Sequence, residues 1–299
     1  MLPPDRAPGR GEPPGPAEML LQRVITALVL VGLFLASLFT ASVWPFALLT
    51  LALMAAGGWE WGRLNHAGGG SALAMGAIVA AGGAAALFAG WVQKAPPLLW
   101  LLASGLWIVA GSLALRTGPG TWPQLPRLAR WVVGLVALWA AWLALAQARV
   151  ISINFMLSVL CVVWMADVAA YAGGRSFGKR KLAPSISPGK SCEGVWSGVV
   201  GVMLLAAFWI WLDNRFSVDG PSLFSRLLQA VGVPGLVLAL LVLCGLSVVG
   251  DLIESLVKRA AGAKDSSRLL PGHGGVLDRV DALLPVLPAA LALTSWTAK

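Results

Sequence analysis

Two stretches of this chain hold seven of its 13 acidic residues, together with most of its clustered basic ones. The first, residues 164–194, reads WMADVAAYAGGRSFGKRKLAPSISPGKSCEG. Asp167 lies inside an otherwise apolar run. A charge at the centre of a membrane helix costs about 2.5–3.5 kcal/mol on insertion scales, so it faces a bundle interior, a cavity or a partner. Asp167, Tyr171 and Gly174 stand at i, i+4 and i+7 and share one helix face. Beyond them come Arg175, Lys179, Arg180, Lys181 and Lys190, several glycines, and the hydroxyls of Ser185, Ser187 and Ser191. Backbone N–H groups, hydroxyls and lysines together suit phosphate. The competing reading makes Lys179 to Lys181 a basic loop that only fixes topology. Lys190 and Glu193 sit in a Pro/Gly-shaped turn that favours a site.

The second stretch, residues 250–281, reads GDLIESLVKRAAGAKDSSRLLPGHGGVLDRVD. Asp251, Glu254, Ser255 and Lys258 share one face of a helix end. Two carboxylates that close to lipid depth call for a counter-charge. A divalent cation supplies one, and hard oxygen ligands suit magnesium; an ion pair with Lys258 or Arg259 is the alternative. Pro271 to Gly275 form a loop with little side chain, which a ligand can approach. There His273 is either a site residue or a hydrogen-bonded loop histidine. Asp278, Arg279 and Asp281 follow at the mouth of another apolar run, where Asp278 also fits a plain helix cap. Taken alone, these residues describe a membrane-embedded, magnesium-dependent site for a polyphosphate, and none of them specifies a nucleobase.

The elements that position these residues follow from composition. Of 299 residues, 58% are hydrophobic and 12% charged, against roughly 25% charged in ordinary globular domains. Mean hydropathy is +0.80. These values exclude a soluble fold and predict an all-α polytopic membrane protein. Apolar runs near 24–41, 43–58, 71–92, 97–115, 131–148, 153–173, 195–212, 235–257 and 282–297 give about nine transmembrane helices, the last of them short and carrying two prolines. Residues 1–22 are expected to be a disordered Pro/Gly-rich tail, 23–150 a set of N-terminal spans and 151–299 the catalytic region. With the amino terminus in the cytoplasm, 17 basic residues fall on the cytoplasmic side and 5 on the other, which sets the direction. The expected place is therefore the cytoplasmic membrane, multi-pass, with the polar loops and the active site at the cytoplasmic face.

Trp44, Trp59, Trp61, Trp122 and Trp196, near the ends of apolar runs, are expected at the membrane interface. The net charge of +9 matches basic loops beside anionic lipid, and no nucleic-acid module accompanies it. Cys161, Cys192 and Cys244 form no zinc or disulfide pattern.

Residues 255–281 resemble the signature of the phosphatidate cytidylyltransferases. Ser255, Lys258-Arg259, Lys264-Asp265, Leu270-Pro271, His273-Gly274-Gly275, Asp278-Arg279 and Asp281 stand at the family's spacing. Asp167, Tyr171, Gly178-Lys179, Ser187-Pro188, Lys190 and Glu193-Gly194 resemble its second patch, with Ser191 where Thr is commoner. The specific resemblance covers about the last 45% of the chain. It implies that CTP and phosphatidate give CDP-diacylglycerol and pyrophosphate for phospholipid biosynthesis, with no protein nucleophile. It implies a catalytic set of Asp251, Asp278, Lys258, Arg259, Lys264, Asp265, His273, Arg279 and Asp281. Asp251 and Asp278 would hold Mg2+, with K+ as a candidate second ion, while Lys258, Arg259, Lys264 and Arg279 would hold phosphates. The substrate-binding set is Asp167, Tyr171, Lys179, Ser187, Lys190, Ser191, Glu193, Ser255, Gly274 and Gly275. The partners implied are CTP, phosphatidate and the lipid bilayer, with a homodimer left open and nucleic acid not expected. Two rivals remain at this point: a related lipid enzyme, such as a CTP-dependent polyprenol kinase, and a transporter or flippase. The second would place its polar residues at the midplane between repeats, which this chain does not.

Overall fold

The computed structural model describes residues 16–216 and 218–297; the tail expected over residues 1–15 lies outside them. The chain is helical almost throughout. In order come α1 (Pro16–Leu38), α2 (Trp44–Leu64), α3 (Gly69–Phe88), α4 (Pro97–Thr117), α5 (Arg127–Ile151), α6 (Ile153–Phe177), α7 (Cys192–Arg215), α8 (Leu223–Ala260), α9 (Leu277–Val280) and α10 (Leu283–Thr297). A short hairpin, β1 (Lys181–Ala183) with β2 (Ser187–Ser191), joins α6 to α7, pairing Lys181 with Ser191 and Ala183 with Ser187. The segment read as a loop thus carries two antiparallel strands. Residues 16–22, read as tail, belong to α1.

The starts of the core helices are visible in the sequence. Ser152, Ser191 and Ser222 are N-caps, each accepting a backbone N–H from three residues on, which satisfies one of the free donors of the first turn. Six helices, α3 to α8, are long and apolar enough to cross a membrane. The protein is therefore an all-α multi-pass membrane protein. Down one face of α7, Val200, Leu204, Phe208 and Trp211 are exposed, as side chains facing hydrocarbon would be.

The 15-residue α10 has the opposite surroundings. It packs against α4, α5, α6 and α8, and Leu283 to Ala292 are all buried, both prolines included. A helix apolar all round belongs in the centre of a bundle. Long α8 is bent: Gly232 takes φ 67°, ψ −175°, two residues before Pro234. Glycine reaches that conformation at no steric cost. The sequence placed the start of this span at 235 because of the proline, whereas a shorter helical piece, 223–231, precedes the bend.

Tight packing at glycines aligns the helices that carry the polar residues. On α7, Gly194, Gly198 and Gly201 lie directly against Ala170, Ala166 and Ala169 of α6, the small-residue contact by which membrane helices approach. On α8, a methyl group at Gly250 would strike the Asp281 carbonyl and the Pro285 ring. That contact puts Asp251 next to the α9–α10 turn.

Candidate active site

A cavity of about 530 Å³ opens between α6, α7, β2 and α8. Asp167, Tyr171 and Gly174 line it from α6, as their shared face requires, with Arg175 beyond them. Ser187, Lys190 and Ser191 come from β2, and Cys244, Ser247, Val248 and Asp251 from α8. Its lining also includes apolar Val195 and Val199 of α7. Lys190 Nζ pairs with Asp251 Oδ2, and Arg259 Nε donates to the Ile186 carbonyl at 3.4 Å. These two contacts bring the two polar stretches together.

Glu193 and Lys179 do not line the cavity. The Glu193 carboxylate accepts the backbone N–H groups of Lys179 (3.0 Å) and Arg180 (3.1 Å) and the Arg180 side chain (3.3 Å). It closes the hairpin, and Ser191 caps α7 beside it. These contacts fix the hairpin that carries Lys190.

Lys258 bridges two carboxylates, pairing with Glu254 one turn back and with Asp278 at 2.7 Å. The ion-pair alternative for Glu254 is therefore met, while Asp251 takes Lys190 and receives the Ser255 hydroxyl at 3.3 Å. Asp278 also accepts Ser266 N (2.9 Å), Ser266 Oγ (2.8 Å) and Gly275 N (2.8 Å). Burial pushes its pKa up, but the Lys258 ammonium and these N–H donors outweigh burial and hold it well below the usual carboxylate range. Asp281 is different: burial, then the nearby charge of Asp251, raise it to about 7. Asp251 is also within electrostatic range of Asp167.

Five carboxylates (Asp167, Asp251, Glu254, Asp278 and Asp281) thus share two ammonium groups, and no other cation pairs with them among the described residues. No three of them converge on one point as a finished metal cage among those residues. Magnesium seldom uses such cages; it takes one or two carboxylates and completes its shell with substrate phosphates and water. The donor set fits that pattern in charge and in ligand type, with Asp251 the more open carboxylate and Asp278 available when Lys258 turns to a phosphate.

The other residues named from the sequence lie further out. Lys264 and Asp265 are exposed and face a second, shallow cavity with Arg63, His66 and Arg268. His273 is a loop histidine, with Nδ1 3.2 Å from the Pro271 carbonyl. Arg279 Nε donates to the His273 carbonyl at 3.0 Å. Gly274 has φ 81°, a backbone that needs glycine. Gly275 packs against Ser266 Oγ and Glu60, so the close approach expected there from a ligand is made by protein side chains.

Glu60 went unread in the sequence. It is fully buried in α2 and accepts Val276 N (2.9 Å), Leu277 N (2.8 Å) and Ser267 Oγ (2.5 Å), with Ser266 Oγ at 3.3 Å. It pins the whole 266–277 loop, and through Ser266 it supports Asp278. It is the single acid between residues 19 and 166, so the cost argument that singled out Asp167 applied here too. Two of the expected interface tryptophans are also core residues. Trp61 and Trp122 are buried, donating to the Arg130 carbonyl (2.8 Å) and to Asn65 Oδ1 (2.9 Å). Trp44 and Trp196 are exposed.

The pattern that describes the cytidylyltransferase family matches residues 21–296. The chain is 39% identical over 287 residues to a phosphatidate cytidylyltransferase of Pseudomonas aeruginosa, covering 94% of this chain and 98% of that one. It is 35% identical over 283 residues to one of Brucella melitensis, covering 89% of each. Over 133 residues it is 45% identical to one of Haemophilus influenzae, 44% of this chain and 43% of the other. With the match running from the first helix to the last, the chain belongs to the cytidylyltransferase family.

Proposed function

We propose that this membrane enzyme transfers the cytidylyl group of CTP to phosphatidate, giving CDP-diacylglycerol and pyrophosphate for phospholipid biosynthesis. The observation that carries the reading is the cavity itself, whose lining joins apolar Val195, Val199 and Val248 to charged Lys190, Asp251, Arg175 and Asp167. A soluble triphosphate and a lipid phosphate can meet only where such a boundary exists.

A phosphate oxygen of the lipid attacks the α-phosphorus of CTP. The new P–O bond forms as the bridge to the β-phosphorus breaks, and pyrophosphate leaves with the bonding pair. Both reactants are anions, so neutralising charge is the main task. Lys190 stands in the lining to take a phosphate from Asp251, and Lys258 can pass from Asp278 to a phosphate in the same way. Asp251 and Asp278 would hold magnesium, with potassium as a second ion. When bound it would supply positive charge to the phosphate oxygens and the leaving pyrophosphate. Lys264, Arg259 and Arg279 would meet the outer phosphates from the loop. The 23–150 helices act as scaffold to the 151–299 region, apart from Glu60. Pyrophosphate release from CTP with phosphatidate, with ATP, GTP and UTP as controls and a chelator arm, tests the reading. Equal release with ATP, or a phosphorylated lipid in place of pyrophosphate, would refute it.

The topology proposed has nine spans, adding α1, α2 and α10 to the six long helices. The hairpin and the 258–281 segment face the cytoplasm, and the site opens sideways to the inner leaflet. The 17-to-5 split of basic residues supports it. With Cys192 as the sole cysteine, an impermeant thiol reagent should label inverted vesicles and not intact cells; the reverse would sink the orientation.

A further inference from the structure

We propose that a groove between α4 and α5 is a second lipid site, which takes an acyl chain of a membrane phospholipid and binds its anionic phosphate on Arg130. The groove, about 320 Å³, is lined by Leu106, Trp107, Val133, Ala137, Ile253 and Leu284. Its volume is in the range of specific ligand sites. Arg130 belongs to the lining and is 7% exposed. Its Nε donates to the Leu125 carbonyl at 3.2 Å. Its two terminal nitrogens have no hydrogen bond or ion pair with any described residue. Neither nitrogen is among the buried polar atoms that lack a partner, so both are reached by solvent and open to an anion. Phosphate matches its planar fork at two points.

A lipid is favoured over a free anion for two reasons. All of the lining beyond Arg130 is nearly apolar, so a small hydrated anion gains nothing from it. The outer face of α4 presents Leu102, Val109 and Leu113 exposed, on a helix apolar enough to lie in hydrocarbon. Arg130 stands in the first turn of α5, level with Arg116 in the last turn of α4, which puts it at the end of the apolar stretch where headgroups lie. The substrate cavity is separate: it meets α8 at Ser247, Val248 and Asp251, whereas the groove meets α8 at Ile253. The groove also touches Trp61, the neighbour of Glu60 in α2.

Native mass spectrometry of the full-length protein in detergent tests this, with phosphatidylglycerol as probe and diacylglycerol and inorganic phosphate as controls. A Lys190→Met background removes the anion anchor of the substrate cavity. In that background one phosphatidylglycerol should remain bound, resistant to millimolar phosphate. Arg130→Met should weaken it at least tenfold with diacylglycerol unchanged, and Arg130→Lys should restore part of the loss. Ala110→Phe, which fills the groove, should remove both lipids. Wild-type affinity in Arg130→Met overturns the proposal, as does displacement by inorganic phosphate. Loss of all bound lipid in Lys190→Met alone also overturns it. If Arg130→Met does not fold, retention of phosphatidylglycerol by Ala110→Phe is sufficient to reject it.

Discussion

The same three helices, α6, α7 and α8, carry a cluster of acids at each end, and the two clusters are solved in opposite ways. At one end Asp213 accepts Ser222 N (3.0 Å), Ser222 Oγ (2.5 Å), Ser225 Oγ (2.5 Å) and Asn154 Nδ2 (2.8 Å). Asp219 beside it receives Ile153 N (2.6 Å) and Asn154 N (3.1 Å) at the start of α6. Neutral donors, fixed by helix caps, answer every charge there, and no lysine or arginine pairs with either acid among the described residues. At the other end five carboxylates share two lysines, and the charge does not balance. A satisfied network specifies a structure. An unbalanced one needs something the protein does not itself provide, and that is what a site for cations and phosphates requires.

Mutations can sharpen this contrast. The largest effect is expected from Asp251→Asn and Asp278→Asn, each lowering pyrophosphate release by about 10³-fold or more while the protein still assembles. Normal magnesium-dependent turnover in either variant would reduce the unbalanced cluster to another structural network. Lys190→Met comes next, with a loss of about 10²-fold in kcat/KM; unchanged steady-state kinetics would remove it from the site. Glu60→Gln keeps size but turns a donor toward Val276 N and Leu277 N. It should cost about 1–3 kcal/mol of stability and lower kcat about tenfold at unchanged cation dependence. A shift in that dependence would mean that Glu60 is itself a ligand. Smallest in turnover is Asp213→Asn at the opposite end. It should lower thermal stability by a comparable 1–3 kcal/mol yet leave activity per folded molecule within twofold, measured after removing aggregate. A large loss of turnover there would erase the distinction between the ends.

The sequence exposed the unbalanced end because an acid in an apolar run has no cheap explanation: Asp167 was found that way, Asp251 by its shared helix-end face with Glu254, and Asp281 by its place at the mouth of the last run. Helical spacing correctly put Asp167, Tyr171 and Gly174 on one wall. The partners of Glu60 were out of reach: its bonds run to residues 206 to 217 positions away, and no local pattern encodes such a pairing. Trp61 and Trp122 misled for a related reason. A ring near the end of an apolar run looks the same whether it faces headgroups or a neighbouring helix. The start of α8 was missed because Pro234 reads as a boundary, while a glycine at positive φ lets the helix resume across the bend. The hairpin was hidden because strands as short as Lys-Leu-Ala and Ser-Pro-Gly-Lys-Ser carry no alternation long enough to detect.

The Glu60 contact also sets a rule for recombination. A chimera that takes its first five helices from one relative and the remainder from another joins two halves whose seam includes a buried carboxylate, two serine hydroxyls and two backbone N–H groups. If the donor half lacks an acid at position 60, the 266–277 loop inherits three unanswered donors, because Ser266 Oγ still donates to Asp278. If the recipient half has lost Ser266 or Ser267, the acid inherits a vacancy in its shell. Crossovers that keep Glu60 and the serine pair from the same parent should therefore give assembled protein. Those that separate them should fail even where every transmembrane helix is individually compatible, so the unit of exchange in this fold is defined by one carboxylate and its loop.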